Sequence, residues 1–183
     1  MLSNRARLIA VAAAVVTIAT GALATVAAAD DDSDRIRVRL SGYQEDPMPV
    51  STDGWGEFTV WIDERDEEIK YKLRYDDTEG SVTQAHIHFG GMAQSGGVSA
   101  WLCDSTTNPA PAPTDPPSCP GDGSVSGTIE PADVVGPTAQ GIEAGAFDEL
   151  VDAIRARATY VNVHSTKYPA GEIRSQLTHR GHR

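Results

Sequence analysis

Three of the five histidines in this 183-residue chain sit in two short segments far apart, Gln84-Ala85-His86-Ile87-His88-Phe89-Gly90 and Tyr160-Val161-Asn162-Val163-His164-Ser165. Apolar and polar residues alternate in both. An extended backbone therefore sends Ala85, Ile87 and Phe89 to one face and His86 and His88 to the other. In the second segment Val161 and Val163 share a face, and Tyr160, Asn162 and His164 point away from it. Alternate residues on a strand lie roughly 7 Å apart and neighbouring strands about 4.8 Å apart, so imidazoles at these three positions can lean toward one point. Three histidines with one position left open suit a single copper or zinc ion. Asn162 and Glu172 are candidates to hydrogen-bond the imidazoles and fix their tautomers. The competing reading is a metal-free polar network, with the histidines bonded to backbone, to Glu172 and to one another.

Other chemistry finds less support. Glu172 and Arg174 are two apart and share a face, which predicts a local ion pair rather than an acid or base. There is no G-x-S-x-G nucleophile elbow, and Gly90-Gly91 and Gly96-Gly97 lack the spacing and βαβ context of a dinucleotide fingerprint. The acidic runs Asp30–Asp34 and Asp63–Glu68 lack the spacing and turn glycine of a calcium loop and read as a solvated lead and a solvated turn. Cys103 and Cys119 are the only cysteines. They flank the proline-rich stretch Asn108–Pro117 and are read as a structural disulfide; without C-x-x-C spacing, a redox or metal role has no support. Closing a loop of this length contributes roughly 3 kcal/mol in the chain-entropy model.

The elements that must position the histidines are mostly strands. Arg35 to Leu40 alternates charge and aliphatic side chains. Glu57–Ile62 and Glu68–Tyr75 form a hairpin across the acidic turn, and Val98–Cys103 and Ser124–Ile129 are further strands. Phe147, Leu150, Val151 and Ile154 fall at i, i+3, i+4 and i+7, one apolar helical stripe running into the second histidine strand. After Pro169-Ala170-Gly171 the chain resumes as a strand from Glu172 to Leu177. The expected fold is mainly β: an antiparallel β-sandwich of seven to eight short strands with one helix before the penultimate strand.

Residues 1–29 read as a signal peptide: Arg5 and Arg7 precede an apolar stretch, and Ala27-Ala28-Ala29 offers small residues for cleavage. An uncleaved anchor is the alternative, and with it the only expected membrane contact. Residues 30–183 are read as one domain, with 30–34 and 178–183, including His179 and His182, as flexible ends. Past residue 29 there are 13 basic and 26 acidic residues, a formal charge of −13. Such a surface repels phosphate backbones, so nucleic acid is excluded as a partner. The expected location is secreted or extracytoplasmic, where disulfides persist.

The chain resembles the CHRD (chordin-type) domain family. The residues that carry the likeness are Leu40-Ser41-Gly42-Tyr43-Gln44-Glu45 with Pro47 and Pro49, Ala85-His86-Ile87-His88, Tyr160-Val161-Asn162-Val163-His164 and Gly171-Glu172-Ile173-Arg174. Ser165, Ala170 and Ser175 depart from the usual threonine and glycines. The resemblance implies an extracellular, mostly β domain and leaves its activity unassigned. A histidine pair on a strand is also similar in outline to copper/zinc superoxide dismutases, which need more ligands than this chain supplies. The reading adopted is a binding module rather than an enzyme, with copper or zinc at His86, His88 and His164. Two others stand beside it: an extracellular protein-interaction module without metal, contacting its partner through Trp55, Trp61 and Trp101, and a metal-dependent redox enzyme.

Overall fold

In the computed structural model the described residues are 35–121 and 123–178. The expected signal segment, the acidic lead and the tail histidines lie outside the described residues. Alternation decides the strands: β1 (Arg35–Ser41), β2 (Trp55–Asp63), β3 (Glu68–Asp76), β4 (Val82–Phe89), β5 (Gly97–Cys103), β6 (Gly123–Ile129), β7 (Thr159–Ser165) and β8 (Ile173–Gln176), with helix α1 (Phe147–Arg155) just before β7. The mainly β, antiparallel architecture with a helix before the penultimate strand thus holds. All eight strands join one continuous sheet in the order β5-β4-β7-β8-β1-β2-β3-β6. It curls until its edge strands β5 and β6 approach, and the Tyr71 hydroxyl on β3 donates across the gap to the Leu102 carbonyl on β5 at 2.7 Å. Cys103, ending β5, is disulfide-bonded to Cys119, as expected.

The inner side of the curl is the core. Ile36, Val38 and Leu40 of β1, Phe58 and Val60 of β2, Ile69, Leu73 and Tyr75 of β3, Ala85 and Ile87 of β4, Val161 and Val163 of β7 and Ile173 of β8 are all buried there. Phe147, Leu150, Val151 and Ile154 of α1 join the same cluster. Asp148 and Glu149 in the first turn of α1 and Arg155 in its last turn suit the helix dipole.

The register sets the outer side. Cross-strand partners share a face, and one row runs Trp101, His86, Asn162, Arg174, Ser41, Trp55 and Asp76 from β5 to β3. Histidines and exposed tryptophans therefore lie on the same face of one sheet. What separates them is cover: every residue of β7 and β8 is buried, whereas Arg35, Arg37 and Arg39 on the outward side of β1 are exposed.

Candidate metal centre

His86 and His88 leave β4 on the outer face, and His164 leaves the adjoining strand β7, where Gln84 pairs with His164 and His86 with Asn162. All three are buried, and one ring nitrogen from each lies within 4.8 Å of the others. The convergence expected from the alternation is thus observed. No other grouping of histidine, cysteine or carboxylate side chains among the described residues has this geometry.

Two imidazoles are fixed by backbone. His88 Nδ1 is 3.0 Å from the Gly96 carbonyl and His164 Nδ1 is 3.1 Å from the Pro169 carbonyl. A carbonyl only accepts, so each Nδ1 carries the proton and each Nε2 presents a lone pair. His86 Nδ1 lies 3.2 Å from His164 Nε2. That spacing suits an N–H···N bond. It is also close to the separation of about 3.3 Å between two nitrogens bound tetrahedrally to one ion through bonds of about 2.0 Å. The Nε2 atoms of His86 and His88 are buried without a hydrogen-bond partner. Ser99 Oγ, Thr159 Oγ1, Glu172 Oε2 and Gln176 Oε1 are likewise buried without a partner among the described residues, so what singles out the histidines is their convergence.

Burial holds all three rings neutral. It lowers His86 to about 2, with the neighbouring His164 and His88 adding to the effect. Burial outweighs the Gly96 hydrogen bond and brings His88 to about 4, and it likewise outweighs the Pro169 bond at His164, also about 4. Neutral imidazole is the form that binds a metal, so no proton need leave at neutral pH.

The surrounding packing corrects three expectations. The imidazole N–H groups of His88 and His164 are oriented by the Gly96 and Pro169 carbonyls rather than by Asn162 or Glu172. Asn162 instead donates to Glu45 Oε1 at 2.8 Å, and Glu172 Oε1 accepts from Thr52 Oγ1 and the Glu79 N–H. Glu172 and Arg174 do not pair, because Glu172 is taken up by those loops while Arg174 donates to the Gly91 and Gln94 carbonyls at 3.1 and 2.9 Å. Trp101 is no exposed contact: it lies half-buried with its ring centroid 4.2 Å from that of His86. Trp55 and Trp61 are exposed, at 38% and 40%.

The site also uses residues to which the alternation assigned no role. Tyr160 stacks on His88 at 4.7 Å with planes 4° apart. The Arg174 guanidinium covers Tyr160 at 3.5 Å from its centroid. Glu45 is half-buried over Asn162, and desolvation there raises its carboxyl to about 7 against the Asn162 hydrogen bond and the charge of Arg174. Gly171, at φ +135°, leaves room where a Cβ would lie 2.7 Å from Glu45 Oε2 and 2.8 Å from Asn162 Nδ2. Tyr43, Glu45 and Arg174 were legible as parts of a motif. The contacts they make come from folded loops and have no period to read.

A curled antiparallel sheet with a covered three-histidine cluster on its outer face is the class these observations define. The CHRD domain family model matches residues 36–177, and the chain belongs to that family. No curated protein and no solved structure matches it.

Proposed function

We propose that this domain is an extracytoplasmic binding module that holds one copper or zinc ion through His86, His88 and His164. The observation that carries the reading is the set of three neutral, buried imidazoles with nitrogens within 4.8 Å, two of them pinned through Nδ1 so that Nε2 presents its lone pair to the cluster. Three nitrogen ligands leave one position for water or a further group. The depth of the histidines favours capture and retention over rapid ligand exchange, and so a binding role over redox catalysis. The disulfide and the leader-like residues 1–29 support an exported location.

Ligand-linked stability tests this. A stoichiometric excess of zinc is expected to raise the Tm of the native chain and to leave Tm unchanged in His86→Ala, His88→Ala and His164→Ala alike. Equal shifts in all four proteins would exclude the three-histidine site. The exposed Trp55 and Trp61 favour a second reading, a metal-free protein-interaction module. In that case partner binding is lost on replacing the tryptophans and survives at least two of the histidine changes.

A further inference from the structure

Beside the histidine cluster, on the same outer face, lies a cavity of about 250 Å³ bordered by Tyr43, Glu45, Met92, Arg174 and Gln176. Its wall includes a buried cation that no carboxylate touches. Arg174 is only 3% exposed, and among the described residues no carboxylate lies within ion-pair distance of it. Its Nη2 donates to two backbone carbonyls. The other guanidinium N–H groups have no protein acceptor among the described residues. The carboxyl that lines the cavity, Glu45, accepts from Asn162 through Oε1. Stacking on Tyr160 offsets part of the cost of burying this charge, and the remaining guanidinium donors, which are not among the sealed-off buried atoms, are open to an anion in the cavity.

The rim supplies the rest of the ligand's description. Tyr43 and Met92 border the cavity and are 74% and 77% exposed, two of the most exposed large apolar side chains among the described residues. Most of the cavity's lining surface is apolar. Pockets of this make-up hold an apolar body and fix it by one or two polar groups. Glu45 in the same wall adds negative charge when ionised, which disfavours a dianion such as phosphate more than a monoanion. We infer that this cavity binds a small organic monocarboxylate, its carboxylate on the idle N–H groups of Arg174 and its apolar body between Tyr43 and Met92. Planar guanidinium and planar carboxylate match in shape and charge. The site does not require the metal. It adjoins the histidines, because Arg174, Tyr160 and His88 form one continuous stack.

The probe is hexanoate, with hexanamide as its neutral isostere, titrated into the native chain and followed by amide NMR shifts. Hexanoate is expected to shift resonances around Tyr43, Met92 and Arg174, and to bind about tenfold or more tightly than hexanamide, the difference set by one charge-assisted pair. Arg174→Gln is expected to abolish the preference for hexanoate. Because Arg174 also ties down the 91–94 segment, Met92→Glu at the exposed rim serves as the second variant. It keeps those bonds and is expected to weaken hexanoate about fivefold or more through like-charge repulsion. Equal affinity for hexanoate and hexanamide would overturn the proposal. So would hexanoate binding that Met92→Glu leaves intact, or no shift at about 50 mM, where even millimolar affinity saturates.

Discussion

The outer face of this sheet has a covered half and a bare half. Over β4, β7 and β8 it carries His86, His88, Tyr160, Asn162, His164, Arg174 and Gln176, all buried. Over β1, β2 and β3 the same face carries Arg35, Arg37, Arg39, Trp55, Trp61, Lys70, Lys72 and Arg74 in the open. Six of the thirteen basic residues beyond residue 29 thus crowd onto one exposed patch of an acidic chain. Its charges pair with neighbours such as Glu57 and Glu68, and its arginines lie over indoles, Arg74 at 5.0 Å from Trp55 and Arg35 at 5.7 Å from Trp61. The two halves read alike in sequence, as polar residues alternating with apolar ones. The difference arises from loops: the Gly42–Gln44 turn with Glu45 and Asp46, and the 90–96 segment, meet over the histidines, where the Ser95 hydroxyl donates to Asp46 Oδ2 at 2.8 Å. Cover turns ordinary outward histidines into neutral, oriented imidazoles.

The sharpest way to break the covered half is to lift its lid. A Cβ on Gly96 would sit 1.7 Å from the Phe89 carbonyl oxygen, and Gly96 also accepts from His88. Gly96→Ala is therefore expected to cost about 3 kcal/mol or more, roughly 10 °C in Tm, with loss of metal binding. A melting curve with and without zinc checks both.

Acid separates the halves next. The histidines have folded values of about 2, 4 and 4, below the usual 6.5, so the unfolded chain binds more protons and stability falls as pH drops from about 6.5 toward 4. Glu45 works the other way: its carboxyl is raised to about 7, so its contribution is full below about 4.5 and is lost as pH rises through 7. The account expects the metal-free Tm to drop between pH 6.5 and 5, less so in His86→Phe. Thermal scans across that range measure it. The smallest effect belongs to the bare half. The Arg37 to Glu57 pair, at 2.6 Å, is solvent-exposed on the arginine side, and a double-mutant cycle is expected to return a coupling of about 1 kcal/mol or less that fades in salt.

The strands, the helix and the side of the sheet each histidine occupies were legible because they follow from periodicity alone. Cover was not. Arg174 reads as one more outward charge between Ile173 and Ser175, and only the 91–94 carbonyls and Tyr160 make it a buried one. The expected Glu172 to Arg174 pair failed for the same reason: partners brought from Thr52 and Glu79, more than ninety residues away in sequence, outcompeted a neighbour two residues off. Trp101 and Trp61 looked equivalent, yet Trp101 faces His86 across the β4–β5 pair while Trp61 faces Arg35 and solvent.

Whether the covered histidines hold a metal or form a polar network is decided by stoichiometry. The direct measurement is elemental analysis with copper and zinc titration at neutral pH, on a chain carrying His179→Ala and His182→Ala so that only the sheet histidines remain. About one ion per chain is expected, lost in the further change His164→Ala. Binding no tighter than that of the unfolded chain would contradict it and leave the three imidazoles as a metal-free network.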